Sequence, residues 1–127
     1  MTKKRILIVE DDKIILEALR IELEGAGFRV TVREDGESGL AEALTGSYDL
    51  ILLDLVLPKL HGFDFLRSLK ESKRANTRNT PVVILTNLTQ EHDRDKGLKL
   101  GAVDYCLKAT TGLQGLKEKI HDLLSKP

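Results

Sequence analysis

Ile6-Leu7-Ile8-Val9-Glu10-Asp11-Asp12 sets four aliphatic residues directly against three acids. The same shape recurs at Leu50-Ile51-Leu52-Leu53-Asp54, at Val82-Val83-Ile84-Leu85-Thr86 and at Tyr105-Cys106-Leu107-Lys108. Short continuous apolar runs separated by helical segments read as the buried strands of a parallel sheet. The polar residue ending each run then sits at a strand's carboxyl end, where open α/β sheets bind ligands. Acids, a hydroxyl and an ammonium gathered there suit a divalent cation and a phosphoryl group.

Working outward, helical and strand periods alternate along the chain. A helix from about Asp12 to Glu24 is expected to put Ile14, Ile15, Ala18, Leu19 and Leu23 on one face, with Gly25 and Gly27 as stops. Phe28 to Arg33 alternates apolar with polar residues, which marks a strand with one exposed face, at a sheet edge. A second helix follows from about Glu37 to Leu44. Pro58 and Gly62 frame a loop before a third helix marked by Phe63, Leu66 and Leu69, and Pro81 opens the fourth strand.

The fourth helix, about Thr89 to Leu100, has no aliphatic residue from Gln90 to Lys96, and Gly97 interrupts it. Helices in proteins gain most of their stability by burying an apolar face, so this one should be the least firmly attached. The fifth strand, Val103 to Leu107, leads through Gly112 to an amphipathic helix carrying Leu113, Leu116, Ile120, Leu123 and Leu124.

This alternation, with right-handed crossovers, predicts an α/β fold: five parallel strands doubly wound by five helices, flavodoxin-like. An edge position for strand two and acids after strands one and three fit the order 2-1-3-4-5, with its switch point between strands one and three. Glu10 and Asp11 would lie beside Asp54, with Thr86 and Lys108 lining the other side.

At 127 residues, the chain is expected to form a single domain, 1–127. Twenty basic residues balance twenty acidic ones, so no net field favours nucleic acid or a membrane. Lys73, Arg74 and Arg78 lie in a polar stretch, Glu71 to Thr80, without interleaved aromatics, and read as a solvated loop. The four aliphatic residues after Arg5 are too few for a secretory or spanning segment, and one cysteine forms no internal disulfide. A cytoplasmic location is expected.

In its motifs the chain resembles the receiver domain of two-component response regulators, over essentially its whole length. The acidic pair of that family matches Glu10-Asp11, its phosphoacceptor Asp54, its strand-four hydroxyl Thr86, its strand-five aromatic Tyr105 and its lysine Lys108. The resemblance implies a phosphorelay switch in which Asp54 accepts a phosphoryl group from a phosphohistidine donor, without being a turnover enzyme. It implies Mg2+ held by Asp11, Asp54 and the backbone carbonyl of Val56, with Glu10 acting through water. Lys108 and Thr86 would contact the phosphoryl group, and Thr86 and Tyr105 would form the switch. Partners would be a sensor histidine kinase or phosphotransfer protein, a downstream protein or output domain on the face of the fourth helix, strand five and the last helix, and a second copy of the chain.

Three positions depart from the family pattern. Ala109 stands where proline usually follows the lysine, so the turn into the last helix is expected to be reshaped. Asn87 replaces a small residue after Thr86. Val56 and Leu88, two residues past Asp54 and Thr86, have no polar atoms to orient water, which predicts slow self-dephosphorylation.

Plain physics asks for a cation as well. Carboxylates about 5 Å apart repel by about 3 kcal/mol per pair at an effective dielectric near 20. One lysine cannot neutralise three, and a hard dication with oxygen ligands can. Taken singly, the residues have blander readings: Asp12 as a helix cap, Tyr105 as a half-buried strand residue, Lys59 as a surface charge, and His61, His92 and His121 as exposed. A metal-dependent phosphatase would place a second acid where Val56 stands, and a flavodoxin-like phosphate loop would not contain Glu10-Asp11-Asp12. A degenerate receiver that binds partners without phosphorylation is the remaining alternative, raised by Asn87 and Ala109.

Overall fold

The aliphatic runs are strands in the computed structural model, which describes residues 3–88 and 90–125. The strands are β1 (Arg5–Val9), β2 (Arg29–Arg33), β3 (Leu50–Leu53), β4 (Val82–Thr86) and β5 (Asp104–Leu107). Around them lie α1 (Lys13–Gly25), α2 (Gly36–Ala43), α3 (Gly62–Lys70), α4 (Ala75–Arg78), α5 (Glu91–Lys99) and α6 (Lys108–Ser125). All neighbouring strands pair in parallel in the order β2-β1-β3-β4-β5, as the sequence predicts.

Successive side chains of a strand point to opposite faces, which divides the core in two. Leu7, Val9, Leu53 and Ile84 pack with Phe65, Leu66 and Leu69 of α3. Ile6, Ile8, Leu52 and Leu85 pack with Leu19 and Leu23 of α1 and with Leu116 and Ile120 of α6. Each such fully buried side chain is worth about 1.5–3 kcal/mol relative to exposure. The helices thus clamp the sheet from both sides and hold its strand ends in register.

Several details differ from the sequence-based expectation. Ile14 does not join the buried face of α1 but stands 83% exposed, while Leu16, Leu19 and Leu23 form the buried stripe. At 3.6 residues per turn Ile14 lies about 140° round the helix from Leu19. In β2 the expected alternation is blunted: Val30 to Arg33 are all half-buried, and Arg33 pairs with Glu42 of α2 at 3.1 Å. Glu71 to Thr80 is not wholly a loop. It contains the one-turn helix α4, a sixth helix, with Thr77 and Thr80 buried and the Thr80 hydroxyl donating to the Asn76 carbonyl at 2.9 Å.

Thr89, at the expected start of the fourth helix, lies outside the described residues, and the helix seen there is α5. Gly97, which interrupts its pattern, is the residue α5 buries. A methyl at Gly97 would come within 2.6 Å of Ile84 Cδ1, so the missing side chain lets this helix approach the sheet. No helix among the described residues is long and apolar enough to cross a membrane.

Candidate functional site

Register brings the acids together. Val9 of β1 pairs with Leu53 of β3, and the Asp54 amide donates to the Val9 carbonyl at 3.0 Å. The residues that follow these strands, Glu10 and Asp54, therefore emerge side by side. Glu10 is 2% exposed and Asp54 7% exposed, whereas Asp11 faces solvent. Carboxylate oxygens of Glu10, Asp11 and Asp54 lie within 4.8 Å of one another.

Lys108 completes the cluster. Its ammonium lies 2.5 Å from Glu10 Oε1 and 3.0 Å from Asp54 Oδ2, with the side chain only 10% exposed. The other oxygens of Glu10 and Asp54 are also engaged: Glu10 Oε2 accepts from the Asp12 amide at 3.1 Å, and Asp54 Oδ1 from the Leu55 amide at 2.7 Å. Asp12 is the expected cap, its Oδ1 accepting from the Ile14 and Ile15 amides. It is not one of the three grouped carboxylates.

The electrostatics of Glu10 and Lys108 reflect both their burial and the charges packed against them. Burial raises the Glu10 carboxyl above its ordinary value; the hydrogen bonds from Lys108 and the Asp12 amide oppose the rise, and the Asp54 charge adds to it. Burial alone would lower the Lys108 ammonium, but the hydrogen bonds and charges of Glu10 and Asp54 outweigh it and hold the group above the usual lysine value. An all-oxygen donor set with excess negative charge fits a hard dication such as Mg2+.

Thr86 and Tyr105 lie on the β4–β5 side. Thr86 is buried, and its Oγ1 accepts from the Leu88 amide at 3.4 Å. The Tyr105 hydroxyl donates to the Leu88 carbonyl at 2.8 Å, from a half-buried ring. Both side chains thus meet the backbone of the same residue at the start of the β4–α5 loop. Val56 is 57% exposed just beyond Asp54, and Asn87 is exposed as well.

Other features of the site are silent in the sequence. His61 is exposed as expected, yet its Nδ1 caps α3 by accepting from the Phe63 amide at 3.0 Å. The usual cap residues are Ser, Thr, Asp and Asn, so composition does not flag a histidine here. A methyl at Gly62 would lie 2.7 Å from the Asp54 carbonyl oxygen, which explains how α3 can start against the loop after Asp54. An open apolar groove of about 240 Å3, lined by Ile14, Ile15, Leu85, Leu113 and Leu116, runs between α1 and α6 and reaches Lys108. The misplaced Ile14 is what could have revealed it.

A five-stranded sheet of this order with acids and a lysine at its switch point defines a receiver-type domain. The sequence matches the family "Response regulator receiver domain" over residues 6–121, and the chain belongs to it. It is 43% identical over 104 residues to the transcriptional regulatory protein DltR of Streptococcus agalactiae, covering 82% of this chain and 45% of that protein. It is 43% identical to the transcriptional regulatory protein CusR of Escherichia coli, covering 82% of this chain and 44% of that protein. The chain thus spans less than half the length of these relatives. Its fold superposes on the phosphorylated cyanobacterial phytochrome response regulator RcpA with a TM-score of 0.85 at 27% identity, covering 98% of this chain and 96% of that one.

Proposed function

We propose that the chain is a phosphorelay switch whose phosphoacceptor is Asp54. The observation that carries this reading is the buried ammonium of Lys108 held against both Glu10 and Asp54. Asp54 attacks the phosphorus of a phosphohistidine, the new O–P bond forms as the P–N bond breaks, and the donor imidazole leaves. The transition state of such transfers is loose, so positioning and charge neutralisation dominate. Contacts from the Leu55 amide and Lys108 orient the Asp54 carboxylate. Thr86 donates a hydrogen bond from its hydroxyl to the transferred group.

Asp11, Asp54 and the Val56 carbonyl would hold Mg2+, with Glu10 acting through water, and the ion would neutralise charge on the phosphoryl oxygens. The groove, rimmed by exposed Ile14 and Leu113, would give a phosphodonor an apolar seat beside Lys108, whose ammonium contacts Asp54. On the opposite flank, Thr86 turning to the phosphoryl group gives up its bond to the Leu88 amide. Tyr105 and α5 then readjust, and the surface of α5, β5 and α6 changes for a downstream protein, an output domain or a second copy. DltR and CusR are named as transcriptional regulators, which supports an output of that kind.

Incubation with Mg2+ and acetyl phosphate, followed by intact mass measurement, tests the reading. One phosphoryl group per chain is expected in the unaltered protein and none in Asp54→Asn. Turnover of a phosphate ester with no adduct would point to an enzyme. Neither adduct nor Mg2+ affinity would point to a degenerate receiver, a reading that the placement of Lys108 despite Ala109 disfavours.

A further inference from the structure

Lys108 reaches its acids although the proline that usually shapes this turn is replaced by Ala109. Leu107 ends β5 paired with Thr86, and Leu116 and Ile120 of α6 are already buried against the sheet. Between these fixed points the backbone must aim Lys108 at Glu10 and Asp54. α6 is helical on both sides of one residue, Gly112, whose φ of 71° and ψ of 163° are non-helical. Side chains other than glycine essentially never occupy that region. A Cβ placed on Gly112 meets nothing within 4 Å, so space is not what calls for glycine there. Backbone conformation is.

We propose that Gly112 is a positioning residue for Lys108. By breaking α6 it turns the segment Lys108 to Thr111 away from the axis of the helix that follows, and so points the ammonium into the carboxylate cluster. The competing arrangement is one continuous helix through residue 112, which an L-residue there favours. That helix would carry Lys108 off its partners, because contacts of 2.5 and 3.0 Å tolerate little re-aiming. Gly112 touches no reacting atom itself.

The test compares Gly112→Ala, Lys108→Ala and the double variant in two readouts, Mg2+ affinity and adduct formation from acetyl phosphate. Withdrawing the ammonium frees the acids, so Mg2+ should bind several-fold more tightly in each single variant and no more tightly in the double. Adduct formation should fall about tenfold or more in each single variant, again without further loss in the double. Should Gly112→Ala be too unstable to titrate, the Mg2+ dependence of its unfolding midpoint reads the same affinity. D-alanine at 112, introduced by joining a synthetic segment of residues 106–127 at Cys106, should match the unaltered protein because it accepts positive φ. Unchanged Mg2+ affinity in Gly112→Ala, effects that add in the double variant, or a D-alanine chain behaving like the L-alanine one would each overturn the proposal. The adduct readout rests on Asp54 as phosphoacceptor and the Mg2+ readout does not, so a chain that forms no adduct fails the first reading while affinity still decides the second.

Discussion

Two helices flank the cluster of acids, and they are attached in opposite ways. α1 sinks Leu16, Leu19 and Leu23 into the core, is capped by Asp12 through two amides, and is tied to α6 by Lys117 and Glu22 at 3.0 Å. α5 buries Gly97, and Gln90 gives it no side-chain cap among the described residues. The residues before α1, Glu10 and Asp11, would have to stay fixed to hold a cation. Those before α5, Thr86 and Leu88, would have to move. Packing is firm beneath the groups proposed to bind and sparse beneath those proposed to respond.

That contrast can be broken from either side. Leu23→Ala in α1 should cost about 2–5 kcal/mol in urea unfolding, and Leu98→Ala in α5 less than about 1 kcal/mol. Equal costs would mean that α5 is as deeply anchored as α1.

A second effect comes from alkaline pH in the metal-free protein. Burial, with Glu42 beside Tyr48 and the charges of Asp93 and Asp54 near Tyr105, raises both phenols above their usual value of 10.0. Lys108 likewise stands above 10.5. Groups that hold protons more tightly folded than unfolded contribute fully below the unfolded value and lose that contribution as pH rises through the folded one. Stability should therefore decline above pH about 10, and less steeply in Lys108→Met, as followed by thermal melts across pH.

Smaller changes sharpen the weak side. Gly97→Ala gains about 1 kcal/mol of helix propensity but must displace Ile84 Cδ1, so a net loss of about 1 kcal/mol is expected. In an Ile84→Val background, which removes that methyl, the same substitution should be neutral or stabilising by urea unfolding. Lys96, whose ammonium lies 4.9 Å from the ring centre of Phe63, adds a last restraint on α5. Lys96→Gln should cost about 0.5 kcal/mol and speed amide exchange in α5 more than in α1.

Most of this architecture was legible because strands buried on both faces must be continuously apolar, and because polar residues at their ends are then forced together. Position along a helix was harder to read. Ile14 is apolar and next in sequence to Ile15, yet a turn of 100° per residue leaves Ile15 half-buried and Ile14 exposed. Single-turn features escaped for another reason. α4 is too short to show a period, and the cap on α3 comes from a histidine. Gly112 was visible as a break before the last helix, but its conformation is not written in composition.

The lysine lodged among the acids has a further consequence. Under the proposed function, the Lys108 ammonium stands in for the ion the acids would take, so depletion of magnesium should idle the chemistry while the scaffold stays upright. In domains whose architecture is assembled by a metal, the same depletion would dissolve the fold itself. On that reading supply and shape are uncoupled, and metal-free protein should remain folded and ready to resume once the ion returns.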